Sequence, residues 1–257
     1  MATRSFESLV YKLSPSVPGC PQPTIVQYIR DAAIRTCERT LSWRYQIPLF
    51  NLSPGVVEYP FNQPVDTDVH AIFEAVVNCN PLDRVTLEQA IHRYPCWADL
   101  FNGLSFQNVW AQTQSGSFNS PQYNQVPYNG SGQFQYPDEA LEGARDPLII
   151  TQINADGYIV LPMPDDEKDY EMRMFVALKP KRDADGMDEF IFNELEDVIM
   201  HNALQHLLVL PETNWSDREL ATYHAKQYLF HLTERRARAN LGNARATLTA
   251  RAQPFGV

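Results

Sequence analysis

The sequence predicts an α+β chain in which the terminal helices pack as a small bundle and an antiparallel β-rich domain is inserted between them. Three observations carry this prediction. Ile25, Tyr28, Ile29, Ala32, Thr36 and Leu41 recur at three- and four-residue steps, the period of one apolar helix face. From Tyr45 to Lys179 the period is mostly strand-like and broken by turn residues, and helical spacing then returns from Met187 to an Ala- and Arg-rich end. This places a discontinuous helical domain at 1–45 and 183–257, with an extended C-terminal tail, and the inserted β-rich domain at 46–182.

Composition narrows the function classes. Hydrophobic residues make up 44% of the chain, enough for periodic segments to bury a core, so a wholly disordered protein is excluded. The formal net charge is −10 and is uneven: Arg235, Arg236, Arg238, Arg245 and Arg251 crowd the end, leaving a strongly acidic body that repels phosphates. Sequence-specific nucleic-acid binding is not expected. No run approaches the ~20 apolar residues that cross a bilayer, and the first residues lack a basic start with an apolar run, so a soluble, unexported protein is expected. Cys20, Cys37, Cys79 and Cys96 are far apart without a CxxC pair, which favours buried free thiols over a zinc site or a disulfide framework.

Along the chain, the Pro-rich Ser14–Pro23 stretch reads as an extended lead-in, and Thr24 as the cap of the first helix. Arg30, Asp31, Arg35, Glu38 and Arg39 fall mostly on that helix's polar surface. Strands are expected at Ile47–Leu52 and Val56–Phe61 around the turn Ser53-Pro54-Gly55, and at Val69–Val77. Thr86 and Gln89 have the spacing of a capping box for a short helix. Leu148–Ile153 and Tyr158–Met163 flank Asn154-Ala155-Asp156-Gly157, a hairpin signal, and Met172, Met174, Val176 and Leu178 give one strand a single apolar face. A helix stripe follows the turn at Gly186 with Met187, Phe190, Ile191, Leu195, Val198 and Ile199, and Ser216 with Glu219 marks the start of another helix.

Residues 100–137 contain no charged side chain and are rich in Gln, Asn, Ser, Gly and aromatics. A connection of that length is either a flexible surface excursion or a functional loop. In the second reading Phe106, Trp110, Tyr123, Tyr128 and Phe134 anchor contacts with the tail or a neighbouring subunit, because aromatics dominate interface energetics.

Catalytic signatures do not emerge. The sequence holds neither G-x-S-x-G nor G-x-x-x-x-G-K-[ST], and no dinucleotide fingerprint, so no cofactor and no enzyme activity are expected. A carboxylate-dependent hydrolase is the enzymatic alternative. His201 and His206 are five apart and off a common helix face, while His224 and His231 are seven apart and share one as packed or solvated residues. Asp165, Asp166, Glu167, Asp169 and Glu171 form an acidic group that either attracts a hard cation or is a solvated connection. A second group includes Asp183, Asp185, Asp188 and Glu189 at a helix start, where the helix dipole favours negative charge. If copies form a ring, these four would line its channel and keep passing DNA from sticking.

The run Ile29-Arg30-Asp31-Ala32-Ala33-Ile34-Arg35-Thr36-Cys37-Glu38-Arg39-Thr40 followed by Trp43 resembles the first helix of the head-to-tail adaptors, or connectors, of tailed bacteriophages, the tail tubular protein A-like family. Tyr59-Pro60, Arg93-Tyr94-Pro95-Cys96-Trp97 and Gly157-Tyr158-Ile159-Val160-Leu161-Pro162-Met163-Pro164 also resemble that family's pattern, while the uncharged segment departs from its shorter members. The resemblance implies a non-enzymatic virion neck protein, a homo-oligomeric and commonly dodecameric ring between the portal protein and the tail nozzle protein that continues the DNA channel. It also implies that the C-terminal segment reaches the portal, with Arg245 and Arg251 pairing with portal carboxylates and Phe255 as an apolar anchor; the bland alternative for that segment is a frayed helix end. A tail-nozzle or fibre-docking virion protein, attached through the uncharged segment to a tail fibre, is the alternative function.

Overall fold

In the computed structural model, which describes residues 2–93 and 146–241, the first structure forms earlier than the Pro-rich lead-in suggests. Strand β1 (Thr3–Ser5) leads into a 3-10 turn (Phe6–Leu9), the short helix α1 (Val10–Leu13) and a second 3-10 turn (Ser14–Ser16). Phe6, Leu9, Leu13 and Val17 recur at three- and four-residue steps and are all buried, and the coil that buries them continues through Ser14–Ser16, the start of the stretch expected to be extended. Helix α2 (Gln22–Thr40) then begins two residues before Thr24. Pro21 occupies its N-cap position, and Pro23 sits in the first turn, where a missing N–H costs nothing. The helix ends at Leu41, whose left-handed conformation (φ 53°) lets its N–H reach the Cys37 carbonyl at 2.9 Å.

Chain contacts divide the molecule into two units. The first comprises Met1–Tyr45, Gln63–Ala71 and Val176–Val257; the second comprises Gln46–Asn62 and Ile72–Phe175. Residues 63–71 and 176–182, assigned from sequence to the β-rich domain, thus group with the terminal helices.

In the first unit, β10 (Gly186–Asp188) pairs antiparallel with β1, and α4 (Glu189–Leu207) follows directly. Gly186 is therefore a strand residue rather than the expected turn, and Met187 belongs to that strand rather than to a helix stripe. A Cβ on Gly186 would lie 2.3 Å from the Arg4 carbonyl oxygen, so only glycine permits this approach. Helix α4 buries Ile191, Phe192, Leu195, Val198, Ile199, Asn202, Ala203, Leu204 and Leu207, which is more than a single stripe. Both α2 and α5 (Arg218–Leu241) pack against it, and they also meet each other. Burial of each such Leu, Ile or Phe is worth about 1.5–3 kcal/mol. The start of α5 differs by one residue from the Ser216 expectation: Asp217 caps it, accepting 3.0 Å bonds from the Glu219 and Leu220 N–H groups, while the Ser216 hydroxyl donates to the Leu208 carbonyl.

In sequence between α2 and α4 lie the strands β2 (Arg44–Leu52), β3 (Glu58–Pro60), β4 (Thr67–Val77), β5 (Asn80–Pro81), β6 (Asp83–Arg84), β7 (Ile149–Gln152), β8 (Gly157–Leu161) and β9 (Tyr170–Pro180). They form two four-stranded sheets, ordered β2-β9-β4-β5 and β3-β8-β7-β6. The fold is therefore α+β with largely antiparallel sheets; the β6–β7 pair is parallel. The apolar alternation in β9 holds, with Met172, Met174, Val176 and Leu178 all fully buried.

The second unit's core joins Val57, Ile149, Ile159, Leu161 and Met163 to Ala90 of the short helix α3 (Leu87–Arg93). The capping box forms as the spacing predicts: Gln89 N–H donates to Thr86 Oγ1 at 3.3 Å, and Thr86 N–H to Gln89 Oε1 at 3.2 Å. At the hairpin, Asn154 Oδ1 accepts from the Asp156 and Gly157 N–H groups at 2.8 Å, a side-chain turn that fixes the β7–β8 register Gln152 to Tyr158. Among the described cysteines all three are free, but only Cys37 is buried, with its thiol pushed up to about 12 by desolvation; Cys79 is exposed, contrary to expectation.

The tight β1–β10 approach gives a direct test. Gly186→Ala should destabilise the first unit by about 1–3 kcal/mol, because the methyl displaces the Arg4 backbone. Urea denaturation of both proteins measures the difference.

Candidate assembly surface

The charged residues of α2 lie at its surface as expected, none of them buried, and four of them also reach neighbouring elements. Arg30 donates to the Ala184 carbonyl at 2.8 Å and reaches the Asp185 carboxylate at 3.4 Å. One turn further, Arg35 Nη1 lies 2.7 Å from His206 Nε2 on α4. Arg39 donates to the Tyr228 hydroxyl of α5 at 3.4 Å, with its guanidinium 5.9 Å from the ring centre, and Glu38 accepts from Lys179 at 2.8 Å. The buried Asn202 amide closes the set by donating to the Ala32 carbonyl at 3.3 Å. The same run that carries the adaptor resemblance therefore ties α2 to α4, α5 and β9. Residues three to four apart on a helix point the same way, which is why successive turns reach successive neighbours.

With its inner side engaged, α5 has a contrasting outer side. Ala221, His224 and Tyr228 are buried, whereas Tyr223, Leu229 and Phe230 are 53%, 56% and 66% exposed. Phe190, placed by its spacing in the buried stripe of α4, is instead 65% exposed. It borders a groove of about 360 Å³ whose walls include Trp43, Arg44, Glu194, Arg235 and Arg238. The Arg44 guanidinium crosses to the Ala239 carbonyl, and Arg238 pairs with Glu234 at 2.6 Å. Phe190 thus stands beside three arginines, while Tyr223, Leu229 and Phe230 are exposed apolar side chains on α5. Arithmetic spacing could not reveal them, because α4 and α5 carry apolar residues on several faces.

The acidic residues expected to line a channel cluster at the β10–α4 junction, but their roles differ. Asp188 is the N-cap of α4: its Oδ1 accepts from the Phe190 and Ile191 N–H groups at 3.1 and 3.3 Å. Asp185 is exposed beside Arg30, Glu189 is exposed, and Asp183 borders a second groove with Glu38, Lys179, Lys181 and Arg182. Trp110, Tyr123, Tyr128 and Phe134 lie outside the described residues, as do Phe106, Arg245, Arg251, Phe255 and the Tyr94–Trp97 segment.

The other two resemblance segments meet in the second unit, where Tyr59 pairs with Tyr158 and Pro60 with Gly157. Their rings stack at 5.7 Å, and Phe61 packs on Tyr158 at 4.8 Å. Burial raises both tyrosine hydroxyls above their ordinary range, and Tyr59 donates to the Ser53 or Val56 carbonyl. In the acidic stretch, the Tyr170 hydroxyl lies 2.8 Å from Asp165 and 3.0 Å from Asp146, and Lys168 sits 2.9 Å from Asp146. Lys168, then Tyr170, hold the Asp146 carboxyl below the usual carboxylate range. Among the described residues no group of three or more His, Cys, Asp or Glu side chains is placed to hold a metal ion.

Compared with models of known protein families and with curated proteins, the chain gives no match.

The four junction acids should separate on substitution. Asp188→Ala is expected to cost about 1 kcal/mol through loss of the cap, while Asp183→Asn and Glu189→Gln should stay within about 0.5 kcal/mol of the parent. Equilibrium urea unfolding of the three variants reads this directly.

Proposed function

We propose that this chain is a structural subunit of a tailed-phage virion, a head-to-tail adaptor whose copies form a ring between portal and tail nozzle and continue the DNA channel. The observation that carries the proposal is the outer side of α5. In a chain of net charge −10, one helix presents Tyr223, Leu229 and Phe230 to solvent while its other side is committed to α4 and α2. An isolated monomer gains nothing from this arrangement, whereas a subunit of an assembly buries those side chains against its neighbour. A ring built from one kind of chain uses two different surfaces of each copy, so no self-complementary patch is required. The resemblance of residues 29–43 to the first helix of adaptors supports the same reading, because that run fastens the helices into the scaffold that holds α5 in place. In this reading the arginine-bearing segment that follows α5 in sequence meets the portal, and many copies binding the portal together make individually weak contacts sufficient.

Two experiments test the proposal. Phe230→Asp should leave the thermal midpoint of the free chain nearly unchanged, since the side chain is 66% exposed, yet abolish incorporation into particles, scored by sedimentation of assembled heads; normal incorporation contradicts the interface. Truncation after Asn240 should abolish attachment to portal-bearing particles, and unchanged attachment rejects the role given to Arg245, Arg251 and Phe255.

A further inference from the structure

Four of the six histidines of the chain lie on α4 and α5, and three of them make two contacts that each need at least one unprotonated ring. His201 Nδ1 of α4 and His224 Nδ1 of α5 are 2.8 Å apart. One of these nitrogens must donate and the other accept, so the contact holds at most one proton and fails when both rings are protonated. His231, one heptad beyond His224, stacks on His201 with ring centres 5.5 Å apart and planes within 4° of parallel. On the other side of α4, His206 Nε2 faces Arg35 Nη1 at 2.7 Å. A guanidinium has hydrogens to give and no lone pair, so His206 must accept there and carry its own hydrogen on Nδ1. The last turns of α4 are thus held to α5 by one histidine contact and to α2 by another, and acid opposes both.

We propose that the α2–α4–α5 unit is acid-sensitive, and that protonation of His201, His224 and His206 loosens α5 and α2 from the C-terminal half of α4. This inference is independent of the adaptor reading. Around His201 and His224 the titratable and charged groups are His231 and Tyr223 on α5 and Asp197 on α4; around His206 they are Arg35, Arg39 and Asp31, all on α2. Asp197 favours the charged form of His201, but it is exposed, and burial together with His224 and His231 prevails. His224 is only 7% exposed, and burial lowers its proton affinity. His206 is exposed at the surface, as is Arg35; there desolvation by its packed neighbours, then Arg35 and Arg39, outweigh Asp31. All three rings are held below the ordinary value of 6.5, so the unfolded chain binds more protons than the folded one. The stability they contribute is complete above that value and is lost as pH falls beneath it towards the lowered, folded values.

The test follows the thermal midpoint of the full chain by circular dichroism as pH is lowered from about 7.5 to about 5.5, a window in which histidine is the side chain that ordinarily titrates. The midpoint should fall by several degrees. The double variant His206→Gln, His224→Gln should lose roughly half of that fall or more, while His70→Gln and His92→Gln, which lie outside α4 and α5 and take no part in these two contacts, should leave it intact. An unaltered fall in the double variant, or an equal reduction in the controls, overturns the proposal. If the double variant does not fold, imidazole resonances of the parent chain decide instead. Midpoints below 6.5 for His201, His206 and His224 support the proposal, and ordinary midpoints for all three reject it.

Discussion

The first unit depends on one constraint: α4 carries apolar side chains around most of its circumference and is stable only when covered on more than one side. A helix with a single stripe needs one partner, whereas α4 buries Ile191, Leu195 and Val198 together with Phe192, Ile199 and Ala203, and so needs two. Helices α2 and α5 meet that need from opposite ends of the sequence. The β1–β10 pairing follows from the same constraint, because it brings Phe6 beside Phe192, with ring centres 6.2 Å apart, and places Arg4 4.7 Å above that ring. Asp188 then ends the strand and starts the helix with one side chain.

The way α4 is covered sets what remains for function. Arg30, Arg35, Arg39 and Glu38 of α2 reach Ala184, His206, Tyr228 and Lys179, so α2 braces the unit. Helix α5 contributes its small and polar side chains to the interior and keeps Tyr223, Leu229 and Phe230 outside. That choice leaves apolar surface in water, which the proposed assembly would cover. In the proposed ring, rigidity of α5 against α4 matters as much as its surface, because a contact repeated around a closed ring tolerates little angular error. The His201–His224 contact lies between these two helices.

Local chemistry was legible in the sequence, and long-range chemistry was not. The Thr86–Gln89 capping box, the Asn154–Gly157 turn and the alternation in β9 each depend on residues a few positions apart, and each forms as its spacing requires. The pairing of β1 with β10 joins residues from opposite ends of the chain, so no periodicity announces it. The buried series Phe6, Leu9, Leu13 and Val17 did carry a helical period, but the prolines and serines that follow masked it. Phe190 illustrates the opposite difficulty: in a helix rich in apolar residues, spacing does not say which one is left outside. Likewise His224 and His231 are visible as one face, while their partner His201 is supplied only by tertiary packing. The candidate site was therefore readable as a helix and unreadable as a surface.

The most direct measurement is an electron-microscopic reconstruction of the neck of particles containing this chain, at a resolution that traces side chains. The account requires density for a ring of copies between capsid vertex and tail in which Tyr223 and Phe230 of each protomer are covered by the next. A neck built without this chain, or a ring in which both aromatics remain in solvent, would contradict it.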